Sequence, residues 1–402
     1  MARRVPVPSI ACLSGLSQQR GIASIALSAL LAILIIGVLV TLLSARSQQN
    51  EFDDKTFAVL GLAQKALIAY AAGNGTPGRL PCPDTDNDGV EDCPVGPAPA
   101  QLGRLPWKTL GLADLRDGSG ECLWYAVSGN FMDGTALVIP VNSDTTGQFT
   151  IKDGSGNVLA ANAIAVILAP NIALQGQDRT PSGNFRCAGN TTASNYLDTA
   201  NGVNNATAPP TTFVAAPFSD TYNDRLVFIT PAQFFPAIER RVAGEIKKML
   251  TAYYGANGYY PFANGYLDPS YNCTSGSAQG RVPLTIGATC PPLGDWSPPG
   301  VPAWFTNDQW NFLTYYAVDP ACAYPGLGCL GTLTVQNGPA PTNNKQAVLI
   351  EPGPGLSALG QPTPCVSVAN CLDGPNYNNI TGVYLTQPGS PNFNDVVVIV
   401  AP

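Results

Sequence analysis

The chain has 402 residues, of which 12% are charged, with 41 glycines, 37 prolines and no histidine. Its 27 acidic and 20 basic residues give a net charge of −7 without a dense run of Lys and Arg, so nucleic-acid binding is not supported. Without histidine the usual Ser-His-Asp and Cys-His pairs cannot form, and we predict that the chain is not an enzyme.

The first predicted element is a hydrophobic helix near the N-terminus. Residues 22–43 carry no charge, a stretch long enough to cross the hydrocarbon core of a bilayer as a helix. Arg3, Arg4 and Arg20 precede it without an acidic residue, so the positive-inside rule keeps the leader in the cytoplasm and sends the body outward.

The junction before this helix has an unusual order of residues. Polar Gln18, Gln19 and Arg20 lead directly to Gly21, and the apolar run that starts at Ile22 is longer than that of an ordinary secretory peptide. This arrangement resembles the leader of the type IV pilin family. The resemblance covers only the leader and the anchor.

The resemblance implies several features of the N-terminal region. It implies that prepilin peptidase cleaves between Gly21 and Ile22 and that the new amine of Ile22 is methylated. Residues 1–21 would be the leader, and 22–50 the transmembrane or filament-core helix. Ala26 stands at the fifth mature position, where most members carry a glutamate that is costly in lipid. In lacking this glutamate, the chain resembles minor pilins of the filament tip and the glutamate-free minor pseudopilin of type II secretion.

These similarities imply a location and a set of partners. The body would lie in the periplasm while the helix is in the bacterial inner membrane, and the subunit would then enter a pilus or pseudopilus at the cell surface. Its partners would be other pilins or pseudopilins, contacted through the N-terminal helix, and prepilin peptidase. The subunit would prime assembly or contact a surface or substrate. A permanent signal anchor on any exported protein is the alternative interpretation.

Behind the anchor, the chain consists of two similar halves, 51–230 and 231–402. In each, a helix-period segment ends at glycines, strand-like segments follow in the same order, and an Asn/Asp loop precedes a last β-branched strand. The matching segments are 57–75 and 236–254, 122–131 and 312–321, and 163–177 and 346–361. We predict an α+β fold: a long N-terminal hydrophobic helix followed by two tandem pilin-like modules, each a helix packed on an antiparallel β-sheet.

An acidic loop in the first half is the clearest candidate for chemistry. Carboxylates alternate ahead of Gly89, a pattern that resembles calcium loops because oxygen ligands suit a hard cation. The predicted ligands are Asp84, Asp86, Asp88 and Asp92. Val95 stands where a full EF-hand has its bidentate glutamate. A solvated acidic turn is equally compatible with this pattern. No cofactor is required, and calcium is the one metal predicted.

The cysteines predict disulfides. Eleven are present, and all but Cys12 follow the anchor, which leaves an even number in an exported chain without CxxC pairs or histidine. Proximity predicts three local bridges. They join Cys82 to Cys93, Cys322 to Cys329, and Cys365 to Cys371.

One alternative function stays open at this point. Paired carboxylates and clustered aromatic residues also fit a signal-anchored extracytoplasmic protein that binds or cleaves glycans. The aromatic residues are Trp296, Trp304, Trp310, Tyr315 and Tyr316. Their other interpretation is packing in the core.

Overall fold

The computed structural model describes residues 31, 50–96, 98–134, 139–182, 187, 189–266, 268, 272–285, 296, 300–326, 328–362, 370–377, 379 and 381–401. The chain divides into two compact units, Met1–Lys55 and Thr56–Pro402. The second unit is the body described below. The predicted leader, the cleavage site at Gly21 and Ile22, and nearly all of the predicted anchor lie outside the described residues.

Helix α1 is described from Asn50 to Gly73. Within the described part of the chain it is the one helix long and apolar enough to cross a membrane. A core helix can have the same length and composition, and α1 buries Leu60, Ala63, Leu67 and Ala71 completely. These residues recur three or four positions apart and therefore form one face. That face belongs to the main hydrophobic core of the body.

The described residues of the first half form three sheets. Its strands are β1 (Gln101–Arg104), β2 (Trp124–Val127), β3 (Phe149–Asp153), β4 (Val158–Ala163), β5 (Ala165–Ala169), β6 (Thr199–Ala200), β7 (Val203–Asn204), β8 (Thr212–Ala215) and β9 (Arg225–Ile229). An antiparallel four-stranded sheet has the order β1-β2-β5-β9. A three-stranded sheet has the order β4-β3-β8, in which β3 and β8 are parallel. β6 and β7 form a two-stranded ribbon.

The second half repeats these two larger sheets. Its elements are α2 (Pro231–Asn257), β10 (Gln279–Arg281), α3 (Ala303–Asn307), β11 (Tyr315–Val318), β12 (Leu333–Asn337), β13 (Ala340–Lys345), β14 (Ala347–Glu351), β15 (Val383–Thr386) and β16 (Val396–Ala401). An antiparallel sheet has the order β10-β11-β14-β16. A three-stranded sheet has the order β13-β12-β15, with β12 and β15 parallel.

The α+β class is therefore observed, and the four-stranded sheets are antiparallel as expected. The parallel pairs in the three-stranded sheets were not predicted. They arise because β8 and β15 return to their sheets through long connections rather than hairpins, and only such connections can bring a strand back in the parallel direction.

Helix α2 is longer than its sequence pattern predicted. The predicted start at Pro236 is wrong, since the helix begins at Pro231 and contains Pro236 in its interior. The N–H of Thr230 donates to the side-chain oxygen of Gln233 at 3.0 Å, which caps the first turn. Pro231 fits the first turn because its missing N–H would have no helical partner there. Gly258, with φ of 79°, ends the helix.

The two halves share one core. Residues of α1, α2 and both four-stranded sheets belong to the same buried cluster. The ring of Phe234 in α2 meets Phe131 of the first half edge to face, with 5.6 Å between centroids. Because α2 packs on both halves, Thr56–Pro402 forms one compact unit. The division into modules 51–230 and 231–402 stays a prediction.

Candidate functional site

The acidic loop brings three of its four predicted ligands together. Carboxylate oxygens of Asp84, Asp86 and Asp88 lie within 4.8 Å of one another. Asp84 is buried, whereas Asp86 and Asp88 are exposed. Such an arrangement presents oxygen ligands to one point at the surface, as a hard cation requires.

Backbone hydrogen bonds hold the loop in this shape. Asp84 accepts the N–H of Asn87 on one carboxylate oxygen and the N–H of Gly89 on the other, at 2.5 and 2.7 Å. Gly89 has φ of +89°, and a Cβ there would come within 2.7 Å of the Trp107 ring. Glycine is therefore required both for the turn and for the close approach of this ring.

Asp92 does not join the other three carboxylates. One of its oxygens accepts the N–H of Thr85 at 2.6 Å and the hydroxyl of Thr85 at 2.8 Å. It therefore stabilises the base of the loop. The Cys82–Cys93 disulfide encloses the loop, with Cα atoms 5.1 Å apart.

The charge balance of the loop is compatible with a cation. Burial raises the pKa of Asp84, and the charges of Asp86 and Asp92 raise it further, while the N–H groups of Gly89 and Asn87 oppose this shift. A bound divalent cation would favour the ionised form of all these carboxylates. The ammonium group of Lys108 donates to the carbonyl of Asp88, and its positive charge offsets part of the negative charge of the loop.

The other cysteines give a mixed outcome. Cys322 is bonded to Cys329, a pair that proximity predicted. Cys371 is disulfide-bonded, but its predicted partner Cys365 lies outside the described residues. A bond between Cys122 and Cys187, 65 positions apart, was not predicted, because spacing gives no information on distant pairs.

Sequence reasoning also missed a network of buried acids and amides in the first half. Asp224 accepts the N–H of Asp198 at 2.8 Å and the side-chain amide of Asn205 at 2.9 Å. Asp198 in turn accepts the N–H of Asn223 at 2.7 Å and the amide of Gln177 at 2.8 Å. These bonds connect Asp198, in the Asn/Asp loop, to Asn223 and Asp224, which come just before β9.

The second half contains the same network. Asp395 accepts the N–H of Asp373 and the side-chain amide of Asn376, each at 2.9 Å. Asp373 accepts the N–H of Asn394 at 2.6 Å and the amide of Gln361 at 2.8 Å. The Asn-Asp pair before the last strand of each half was the sequence signal for it. The carboxylates hold loops in place and are engaged with these donors.

The aromatic residues of the glycan hypothesis are mostly in the core. Trp310, Tyr315 and Tyr316 are almost fully buried, and Trp296 is 8% exposed. Trp304 is half-buried and lines a cavity beside Asp308. Core packing therefore accounts for most of this set.

Comparison of the chain with protein-family models, with curated proteins and with solved structures found no match in any of the three.

Proposed function

We propose that the chain is a non-enzymatic minor pilin or pseudopilin subunit. It would act at or near the tip of a type IV pilus or a type II secretion pseudopilus, where it primes assembly or contacts a surface or substrate. The observation that carries this proposal is the uncharged segment 22–43, which directly follows Gly21 and Arg20. Such a segment can leave the bilayer and enter a filament only after the leader is removed.

The body supports the same proposal. Helix α1 lies close behind the uncharged segment in sequence and packs on an antiparallel sheet through Leu60, Ala63 and Leu67. This packing fixes α1 to the body. The second four-stranded sheet adds surface beyond what one helix and one sheet would offer to a partner.

The test is the mass of the N-terminal peptide of the protein extracted from the membrane. The proposal expects a peptide that begins with N-methylated Ile22. A Gly21→Val variant is the matched control and should keep residues 1–21, because the resemblance makes glycine the cleavage signal. An intact leader in the unaltered protein, or a cut near Ser44, would overturn the pilin proposal.

We also propose that the acidic loop binds calcium. The support is the approach of the Asp84, Asp86 and Asp88 carboxylates within 4.8 Å of one another. Backbone carbonyls and water would complete the coordination, because calcium takes six to eight oxygen ligands. A bound ion would stiffen the surface loop that the Cys82–Cys93 bond encloses.

A further inference from the structure

A cavity of about 780 Å³ lies beside the N-terminal part of α2. Its other walls are the turn 353–356, the segment 386–391 and the first residues of β16. Much of the lining is apolar and includes Pro231, Pro236, Leu356, Pro388 and Val397. We call this cavity the α2–β16 pocket. Its walls suit an aliphatic group rather than a polar one.

One residue of the α2–β16 pocket is unlike the others. Glu239 is completely buried, and neither of its carboxyl oxygens has a hydrogen-bond partner. Nearly all buried polar groups in folded proteins are hydrogen-bonded, because an unpaired buried acid is costly. Glu351 and Asp395 stand near enough to raise the pKa of Glu239 beyond the effect of burial, while Arg240 opposes them. The packing of the body alone gives no reason for an acid here.

Another completely buried polar residue, in the other long helix, has the usual solution. The hydroxyl of Thr56 in α1 accepts the N–H of Gly118 at 2.9 Å. The carboxyl of Glu239 has no such partner.

The unpartnered buried side-chain atoms of the α2–β16 pocket are all oxygens. Among its described residues, the buried side-chain atoms without a partner are oxygens of Glu239, Asn394 and Asp395. Pro236 has no N–H, so the carbonyl of Ala232 cannot receive its usual helical hydrogen bond. A ligand that complements this pocket brings N–H donors and a positive charge. The net charge of −7 also favours the approach of a cation.

We propose that the α2–β16 pocket binds an organic cation whose N–H donors are carried on an aliphatic stem, with Glu239 as its counter-ion. The ammonium group of a lysine and the guanidinium group of an arginine both have this chemistry, since each donates several hydrogen bonds and accepts none. The stem would lie along the proline and valine walls. The proposal goes beyond the pilin function and does not depend on it.

The experiment titrates the full-length chain, in a nonionic detergent, with butylammonium and with butylguanidinium, followed by ligand-observed saturation-transfer NMR. Butan-1-ol is the uncharged control ligand. Glu239→Gln removes the charge and keeps the shape, and Glu245→Gln is the matched control on the same helix, where Glu245 pairs with Lys248 at the surface. Ala232→Phe fills the pocket from an exposed position and serves as a second blocking variant.

Saturable binding of at least one cation is expected, with at least tenfold weaker binding to Glu239→Gln and Ala232→Phe and no change in Glu245→Gln. The stronger ligand identifies whether a lysine-like or an arginine-like group is preferred. Equal binding of butan-1-ol, equal binding to folded Glu239→Gln, or no binding of either cation would overturn the proposal. If Glu239→Gln does not fold, unchanged binding to Ala232→Phe would overturn it.

Discussion

Arg79 and Asp308 form a buried ion pair that joins the two halves of the body. The guanidinium Nη2 lies 2.9 Å from the Asp308 carboxylate, and the two side chains are only 11% and 4% exposed. The same carboxylate oxygen accepts the N–H of Val141 at 3.0 Å. Arg79 also donates to the carbonyls of Asn130 and Ile139. Residues 229 positions apart in the chain are thereby fixed to one another.

Removing one partner of this pair should be strongly destabilising. We expect Arg79→Ala to lower the free energy of unfolding by about 3–5 kcal/mol, because it leaves a buried carboxylate without its counter-charge. Urea unfolding followed by tryptophan fluorescence measures the change. Lys248→Ala is the control, since its pair with Glu245 is exposed on the lysine side and should cost less than about 1 kcal/mol. Equal effects of the two variants would contradict a stabilising role for the buried Arg79–Asp308 pair.

The repeated acid-amide networks should contribute equally to the two halves. Asn205→Ala and Asn376→Ala are each expected to lower the free energy of unfolding by about 1–3 kcal/mol, because a buried carboxylate loses a donor. Thermal and urea unfolding measure both. Asn343→Ala, in exposed β13, should stay within about 0.5 kcal/mol of the unaltered protein. A large loss in one half and none in the other would refute an equivalent role.

The burial of Glu239 predicts a pH dependence of stability. Burial, Glu351 and Asp395 raise its pKa well above the ordinary value. Its contribution to stability is complete below the unfolded pKa of about 4.3 and is lost as the pH rises towards the folded pKa. Glu239→Gln has no carboxyl to ionise at this position and does not lose stability in this way. The free energy of unfolding of the variant, relative to that of the unaltered protein, should therefore increase as the pH rises, by up to about 1.4 kcal/mol per pH unit.

Urea unfolding of the unaltered protein and of Glu239→Gln from about pH 5 to pH 8 measures this difference. Glu351 and Asp395 titrate in both proteins, and the measured difference includes their coupling to Glu239. Glu245→Gln, at a half-buried carboxylate paired with Arg241 and Lys248, is the control for loss of a carboxylate on the same helix. A constant difference between Glu239→Gln and the unaltered protein across this range would show that Glu239 is not held neutral by burial.

Calcium binding distinguishes the four carboxylates of the acidic loop. Calorimetric titration of the full-length chain in detergent should show saturable binding, weakened on the order of tenfold or more by Asp84→Ala, Asp86→Ala or Asp88→Ala. Asp92→Ala should weaken binding less, because the Asp92 carboxylate accepts hydrogen bonds from Thr85 and lies apart from the other three carboxylates. Asp220→Ala, a change at an exposed carboxylate, should have no effect. Absence of heat with the unaltered protein would end the calcium proposal.

Local sequence patterns predicted the secondary structure best where one interaction dominates. The apolar run of β5 follows from burial on both faces, with Ile167 in the main core and Leu168 in a second cluster. The start of α2 was predicted wrongly at Pro236, because the cap at Thr230 and Gln233 lies outside the apolar pattern. In the acidic loop, alternation predicted the approach of three aspartates, whereas the role of Asp92 depends on where the chain turns back.

The sequence by itself determined the uncharged segment 22–43, the absence of histidine chemistry and the Cys82–Cys93 and Cys322–Cys329 bridges, because each depends on residue type or on neighbours in the chain. Only the tertiary structure decided the ion pair of Arg79 with Asp308 and the isolation of Glu239. Arg79 follows α1 and Asp308 follows α3, whereas Glu239 lies on the buried face of α2, so each depends on how distant segments pack. Which groups are buried together is a property of that whole arrangement, and no local pattern encodes it.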